Sequence, residues 1–117
     1  MSAPNIRNVV TINGNTAVQS VGLTANAIVT NSAASNKVYK LNALYISNID
    51  ASTTYKITID LYRSSAPTRI AANTQIPAAT TLDVMSKAIY LLEGDSIRLA
   101  SDAAGKLEAV ASWEEIS

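Results

Sequence analysis

The clearest pattern in the chain is a strict alternation of apolar and polar positions over residues 55–63, YKITIDLYR. Tyr55, Ile57, Ile59 and Leu61 share one face, and Lys56, Thr58, Asp60 and Tyr62 the other, the period-two signature of a half-buried strand. Just upstream, KVYKLNALYISNI (residues 37–49) is apolar on both faces. Tyr39, Leu41, Ala43 and Tyr45 lie on one, and Val38, Leu44 and Ile46 on the other. Such a strand is central in a packed sheet or covered by a neighbouring subunit. Between the two runs, NIDAST is turn chemistry, because Asn and Asp bond their own backbone. The two runs are expected to pair as an antiparallel hairpin.

Shorter strand signals follow. TRIAANTQI ends at PAAT, where Pro77 belongs at an edge or in a loop. TTLDVMS directs Leu82 and Val84 inward. AIYLL and SIRLAS are expected to pair across Glu93-Gly94-Asp95, a tight turn whose acids stay solvated. After DAAG, the run KLEAVASWEEI places Leu107, Ala109, Ala111 and Trp113 on one face and Glu108, Val110, Ser112 and Glu114 on the other. In the first third, IRNVVTING and TAVQSVGL read as two short strands around Asn13-Gly14, a favoured hairpin dipeptide, followed by NAIVT and the loop NSAASN.

About eight short strands at this spacing predict an all-β fold, an antiparallel β-sandwich or jelly roll. Residues 1–22 are expected to form an N-terminal arm or edge strands, and residues 23–117 the sandwich domain.

Composition narrows the function. Cysteine and histidine are both absent. That removes disulfides, thiolate nucleophiles, histidine general bases and the usual transition-metal ligands. Nine basic side chains balance nine acidic ones, so nothing electrostatic draws the chain to nucleic acid or an anionic membrane. No signal-peptide pattern and no apolar run of membrane-spanning length is present, which is consistent with a cytosolic origin. Charged residues make up only 15%, below the ~25% usual in globular domains. Ala, Ser, Thr and Asn together supply 53 of the 117 residues. Small polar side chains of this kind can face water or another subunit with little desolvation cost.

The remaining candidate sites are weak as chemistry. Glu93 and Asp95 are two apart on one turn, without the converging oxygens of a calcium loop or an aromatic sugar platform. Asp60 beside Lys56 reads as a cross-strand ion pair. Arg63, Arg69 and Arg98 are scattered in sequence, and four glycines form no phosphate-binding loop. No enzymatic activity, cofactor or metal is expected. Tyr62, an aromatic on a polar face, is an interface candidate.

Taken together, KVYKLNALYISNIDAS, ITIDLYRS, LDVMSKAIYLLEGDSIRL and LEAVASWEEIS resemble the small β-sandwich virion structural proteins of tailed bacteriophages, especially those of marine and cyanobacterial hosts. The likeness spans residues 37–117. Its most specific pieces are Leu-Glu-Gly-Asp at residues 92–95 and Trp-Glu-Glu-Ile-Ser at residues 113–117. The resemblance implies a non-enzymatic cement or decoration protein, assembled in the host cytoplasm and located in the virion. Its partners would be the major capsid protein or other virion proteins, often with the chain itself as a homotrimer. The candidate interface comprises Ile6, Arg7, Val9, Val10 and Ile12 of the arm, with Tyr62 and Trp113. Two other roles fit the same sequence. One is a tail, neck or baseplate component; an adhesin-type head would need an exposed aromatic or polar pocket in loops 50–54 and 102–106. The other is a carbohydrate-binding sandwich whose site lies around Trp113 and Tyr62.

Overall fold

The computed structural model describes residues 11–117, and among these every regular element is a strand. In chain order they are β1 (Ile12–Ser20), β2 (Asn26–Thr30), β3 (Val38–Asn48), β4 (Tyr55–Arg63), β5 (Ala66–Ile76), β6 (Thr81–Asp83), β7 (Ile89–Leu91), β8 (Ser96–Ser101) and β9 (Leu107–Ile116). Sheet one runs β1-β9-β3-β6, with β7 also on β3; sheet two runs β2-β8-β4-β5. All pairings are antiparallel. Because β6 and β7 pair with successive parts of β3, they act as one interrupted edge strand.

The pairing is nested. β1 joins β9, β2 joins β8, β3 joins β6 and β7, and β4 joins β5. That is one long hairpin folded across two sheets, the strand order of a jelly roll. The expected all-β sandwich is the fold observed, with nine strands among the described residues because the sixth of eight is broken.

Each sheet buries one face against the other. Sheet one contributes Leu41, Leu44, Ile46, Leu91, Leu107, Ala109 and Ala111, and sheet two Val29, Ile57, Ile59, Ile76, Ile97 and Leu99, all at most 1% exposed. Each buried Leu or Ile contributes about 1.5–3 kcal/mol of hydrophobic stabilisation. Of these, Ile57, Ile59, Leu107, Ala109 and Ala111 are the inward positions read from the alternation in β4 and β9.

Four local expectations are corrected. β3 is not apolar on both faces. Its register against β9 shifts between Leu41 and Ala43, a β-bulge at Asn42. The extra residue changes the phase, so Tyr39 and Leu41 before it and Leu44 and Ile46 after it all face inward.

β3 and β4 do not form a hairpin; they lie in different sheets. Their apolar faces bury against each other across the sandwich, and the connecting loop crosses the end. Asn48, 3% exposed, pins that crossing: its Nδ2 donates to the Thr53 and Ile76 carbonyls, and its Oδ1 accepts from the Asp50 N–H.

β7 and β8 likewise belong to different sheets, so the turn between them is a second crossover. Finally, Asn13-Gly14 is not a hairpin. Both residues sit inside β1, in register with Glu115 and Glu114. Residues 12–20 are thus one edge strand of the sandwich itself, and Val21 belongs to the core. The candidate interface residues Ile6, Arg7, Val9 and Val10 lie outside the described residues.

Candidate functional site

The Glu93-Gly94-Asp95 turn does use its glycine for a left-handed backbone, with φ +88°. Its acids are not solvated, however. Asp95 is 2% exposed and Glu93 8%. Asp95 accepts three hydrogen bonds from Arg63 at the end of β4, the shortest 2.6 Å from Nη2, and a fourth from the Leu92 N–H at 2.9 Å. This pairing raises the Arg63 pKa. Glu93 turns elsewhere, its Oε2 accepting the Asn36 N–H at 3.0 Å. The two carboxylates therefore serve different loops and do not act as a pair.

Asn31, fully buried, anchors the turn from below. Its carbonyl accepts the Gly94 N–H at 2.7 Å, and its side chain donates to the Lys37 and Leu91 carbonyls. A cleft of about 610 Å³ lies between this turn and the β4–β5 hairpin, lined by Tyr62, Arg63, Ser64, Ser65 and Leu92.

On the outer face of sheet two a second carboxylate is locked in place. Asp60 of β4 is 3% exposed although it faces outward, because arginines cover it from both neighbouring strands. Arg98 of β8 donates from Nε and Nη2 at 2.9 and 3.1 Å, and Arg69 of β5 approaches to 3.7 Å. Asp60 raises the Arg98 pKa by this bonding. The Arg98 guanidinium also lies 3.9 Å from the centre of the Tyr62 ring, a cation–π contact. Lys56, the partner expected from sequence, instead borders the same shallow depression of about 280 Å³. Two arginines from strands far apart in sequence thus converge on one acid, which no local pattern could reveal.

The outer face of sheet one is different in character. Register places Val18 of β1 opposite Val110 of β9, and Val110 opposite Tyr45 of β3. This apolar row is 77%, 38% and 42% exposed. Around it stand small residues, among them Thr16, Ala43, Ser47 and Ser112.

The interface candidates from sequence are dispersed. Ile12 is exposed on the edge strand β1. Tyr62 lies on the outer face of sheet two. Trp113 lies on the inward side of sheet one, its ring stacked on Tyr39 at 6.2 Å and its Nε1 donating to Glu115. Glu115 also accepts from Asn15 and Lys37, tying β1 and β9 to the loop before β3. Burial, reinforced by the Glu115 charge, raises the Tyr39 pKa. Tyr62 and Trp113 therefore do not form one carbohydrate face. The loops 50–54 and 102–106 approach each other through Lys106 and Asp50, 3.9 Å apart.

No protein-family model and no curated protein matches the sequence. Among solved structures, the chain is similar to one described under the words "Bacillus endospore appendages form a novel family of disulfide-linked pili", with a TM-score of 0.58 and 12% identity. The match covers 100% of this chain and 96% of that one. At such identity the likeness is one of fold: a two-sheet all-β sandwich.

Proposed function

We propose that this chain is a non-enzymatic structural subunit that works by binding other protein subunits, further copies of itself included. The observation that carries this reading is the exposed row Val18–Val110–Tyr45, aligned by register across three strands of one outer sheet face. Apolar side chains aligned in this way gain free energy when a partner covers them. The described carboxylates best shielded from water point the same way: Asp60 and Asp95 are engaged by arginines and hold the sandwich together rather than standing ready for acid–base work.

Two settings fit an assembly subunit. The sequence resemblance supports a phage virion, with the chain as a trimeric head cement protein on the major capsid protein, or as a tail, neck or baseplate part. The likeness to a pilus subunit supports a self-assembling fibre. That pilus is described as disulfide-linked, whereas this chain has no cysteine, so no disulfide can join its copies. Of the segment 1–22 expected as an arm or edge strands, residues 12–20 pair with β9 of the same chain and so form an edge strand.

Sedimentation velocity on the purified chain, from micromolar to millimolar concentration, tests the common reading. Concentration-dependent growth beyond the monomer is expected. A strict monomer throughout that also fails to label phage particles by immunogold microscopy would overturn it. Gold over the head, or over the tail, decides between the virion roles.

A further inference from the structure

The two outer faces of the sandwich carry opposite charge. On sheet one, the outward positions set by register include Asp83, Glu108 and Glu114 against a single lysine, Lys40. On sheet two they include Lys56, Arg69 and Arg98 against a single acid, Asp60, with Asp102 at the rim accepting the Lys56 N–H. Asp60 is nearly buried, so its charge fixes the Arg98 guanidinium through two hydrogen bonds and draws Arg69 to 3.7 Å. Arg69 remains 51% exposed there. Cations held in place lose little conformational entropy when they bind an acidic partner.

Face one offers both the apolar row and the acids. Glu108 and Val110 wall a shallow depression of about 230 Å³ with Val18 and Ser20. At ~4.8 Å between strands and ~3.4 Å per residue, the strands of sheet one cover roughly 590 Å² and those of sheet two roughly 510 Å². Contact limited by the smaller face buries roughly 1,000 Å² in total, the size that marks a specific interface.

Resting on the reading that the chain assembles with other subunits, we propose that the outer face of sheet one docks on the outer face of sheet two of a second copy. Arg69 and Lys56 of one copy then meet Glu108 and Glu114 of the next, while Val18, Val110 and Tyr45 are covered. Pairing of like faces is disfavoured, since it opposes acids with acids or cations with cations. The contact is heterologous and leaves one free face of each kind at the ends, so it propagates as an open stack rather than closing as a dimer. The two sheets meet as sandwich layers do, with strand directions within about 30° of each other.

Charge exchange tests this pairing. Glu108→Lys with Glu114→Lys makes both faces basic, and Lys56→Glu with Arg69→Glu makes both acidic. By sedimentation, each double variant should associate at least about tenfold more weakly than the native chain. An equimolar mixture of the two should recover the native affinity, and added salt should weaken both native and mixed assemblies. Val18→Ser, one exposed edge substitution that leaves the core intact and the charge unchanged, should also weaken association.

If the native chain associates but the double variants associate equally well, face pairing is wrong while the assembly reading stands. Loss in both variants without recovery on mixing also overturns it, because the two faces then do not meet each other. A native chain that stays monomeric overturns face pairing and leaves the assembly reading to the immunogold result.

Discussion

Arg63 at the end of β4 and Asp95 immediately before β8 are joined by three hydrogen bonds, the shortest 2.6 Å, across the mouth of the second crossover. The bond links two strands of sheet two at the point where the chain arrives from sheet one. Asp95→Ala should cost about 2–3 kcal/mol, because it also orphans the Leu92 N–H and leaves Arg63 unpaired. Arg63→Lys keeps the charge but loses the two-pronged geometry, and should cost about 1 kcal/mol. Urea unfolding followed through Trp113 fluorescence measures both.

The bulge at Asn42 makes a sharp prediction for two adjacent residues. Leu44 is fully buried and Tyr45 is 42% exposed. Leu44→Ala should destabilise by about 2–5 kcal/mol, and Tyr45→Ala by less than about 1 kcal/mol. Uninterrupted alternation from Leu41 would place Tyr45 inside and Leu44 outside, so the reverse order of costs would mean that the bulge is absent.

The β4–β5 hairpin turns through Ser64 and Ser65, both left-handed at φ 52° and 59°. Serine is strained in that region, and an asparagine followed by a glycine is the preferred pair for such a turn. The double substitution Ser64→Asn with Ser65→Gly should stabilise the chain by about 1 kcal/mol. Thermal unfolding should shift upward by about 4 °C.

Asp50 gives the first crossover its pH dependence. The Ser52 N–H, aided by the Ser52 and Tyr55 hydroxyls and the Thr53 N–H, outweighs desolvation and holds the carboxyl below its ordinary value of 3.8. A carboxyl depressed in the folded state stabilises it above the unfolded pKa, and that stabilisation is lost as pH falls through the folded value. Asp50→Asn should therefore melt at a lower temperature than the native chain at neutral pH. The gap should close below pH about 4. A gap that persists unchanged into acid would show that the charge of Asp50 contributes nothing.

Sequence by itself determined the class of fold and much of the core. Alternation in β4 and β9 identified Ile57, Ile59, Leu107, Ala109 and Ala111 as inward, since a strand's period of two follows from backbone geometry alone. The glycine turn at Gly94 was legible for the same local reason: its φ is a property of one residue.

Tertiary structure decided which strands are neighbours and where the charges go. Adjacent strands such as β3 with β4, or β7 with β8, can pair side by side or cross between sheets with the same alternation. The choice was made by loop anchors, Asn48 and Asn31, whose burial nothing local announces. The bulge in β3 was equally hidden, because one extra residue resembles a strand apolar on both faces. The ion pairs of Asp60 with Arg98 and Asp95 with Arg63 span 38 and 32 residues, so only the nesting of strands could bring them together. The Asp60 contacts keep Arg98 and Arg69 together on one outer face, whereas the exposed apolar row emerges on the other from the register of β1, β9 and β3. Side-chain alternation is a local consequence of the backbone. Charge and apolar surface on a sheet face are set by which strands lie next to each other, and that was fixed only when the two sheets closed on a common core.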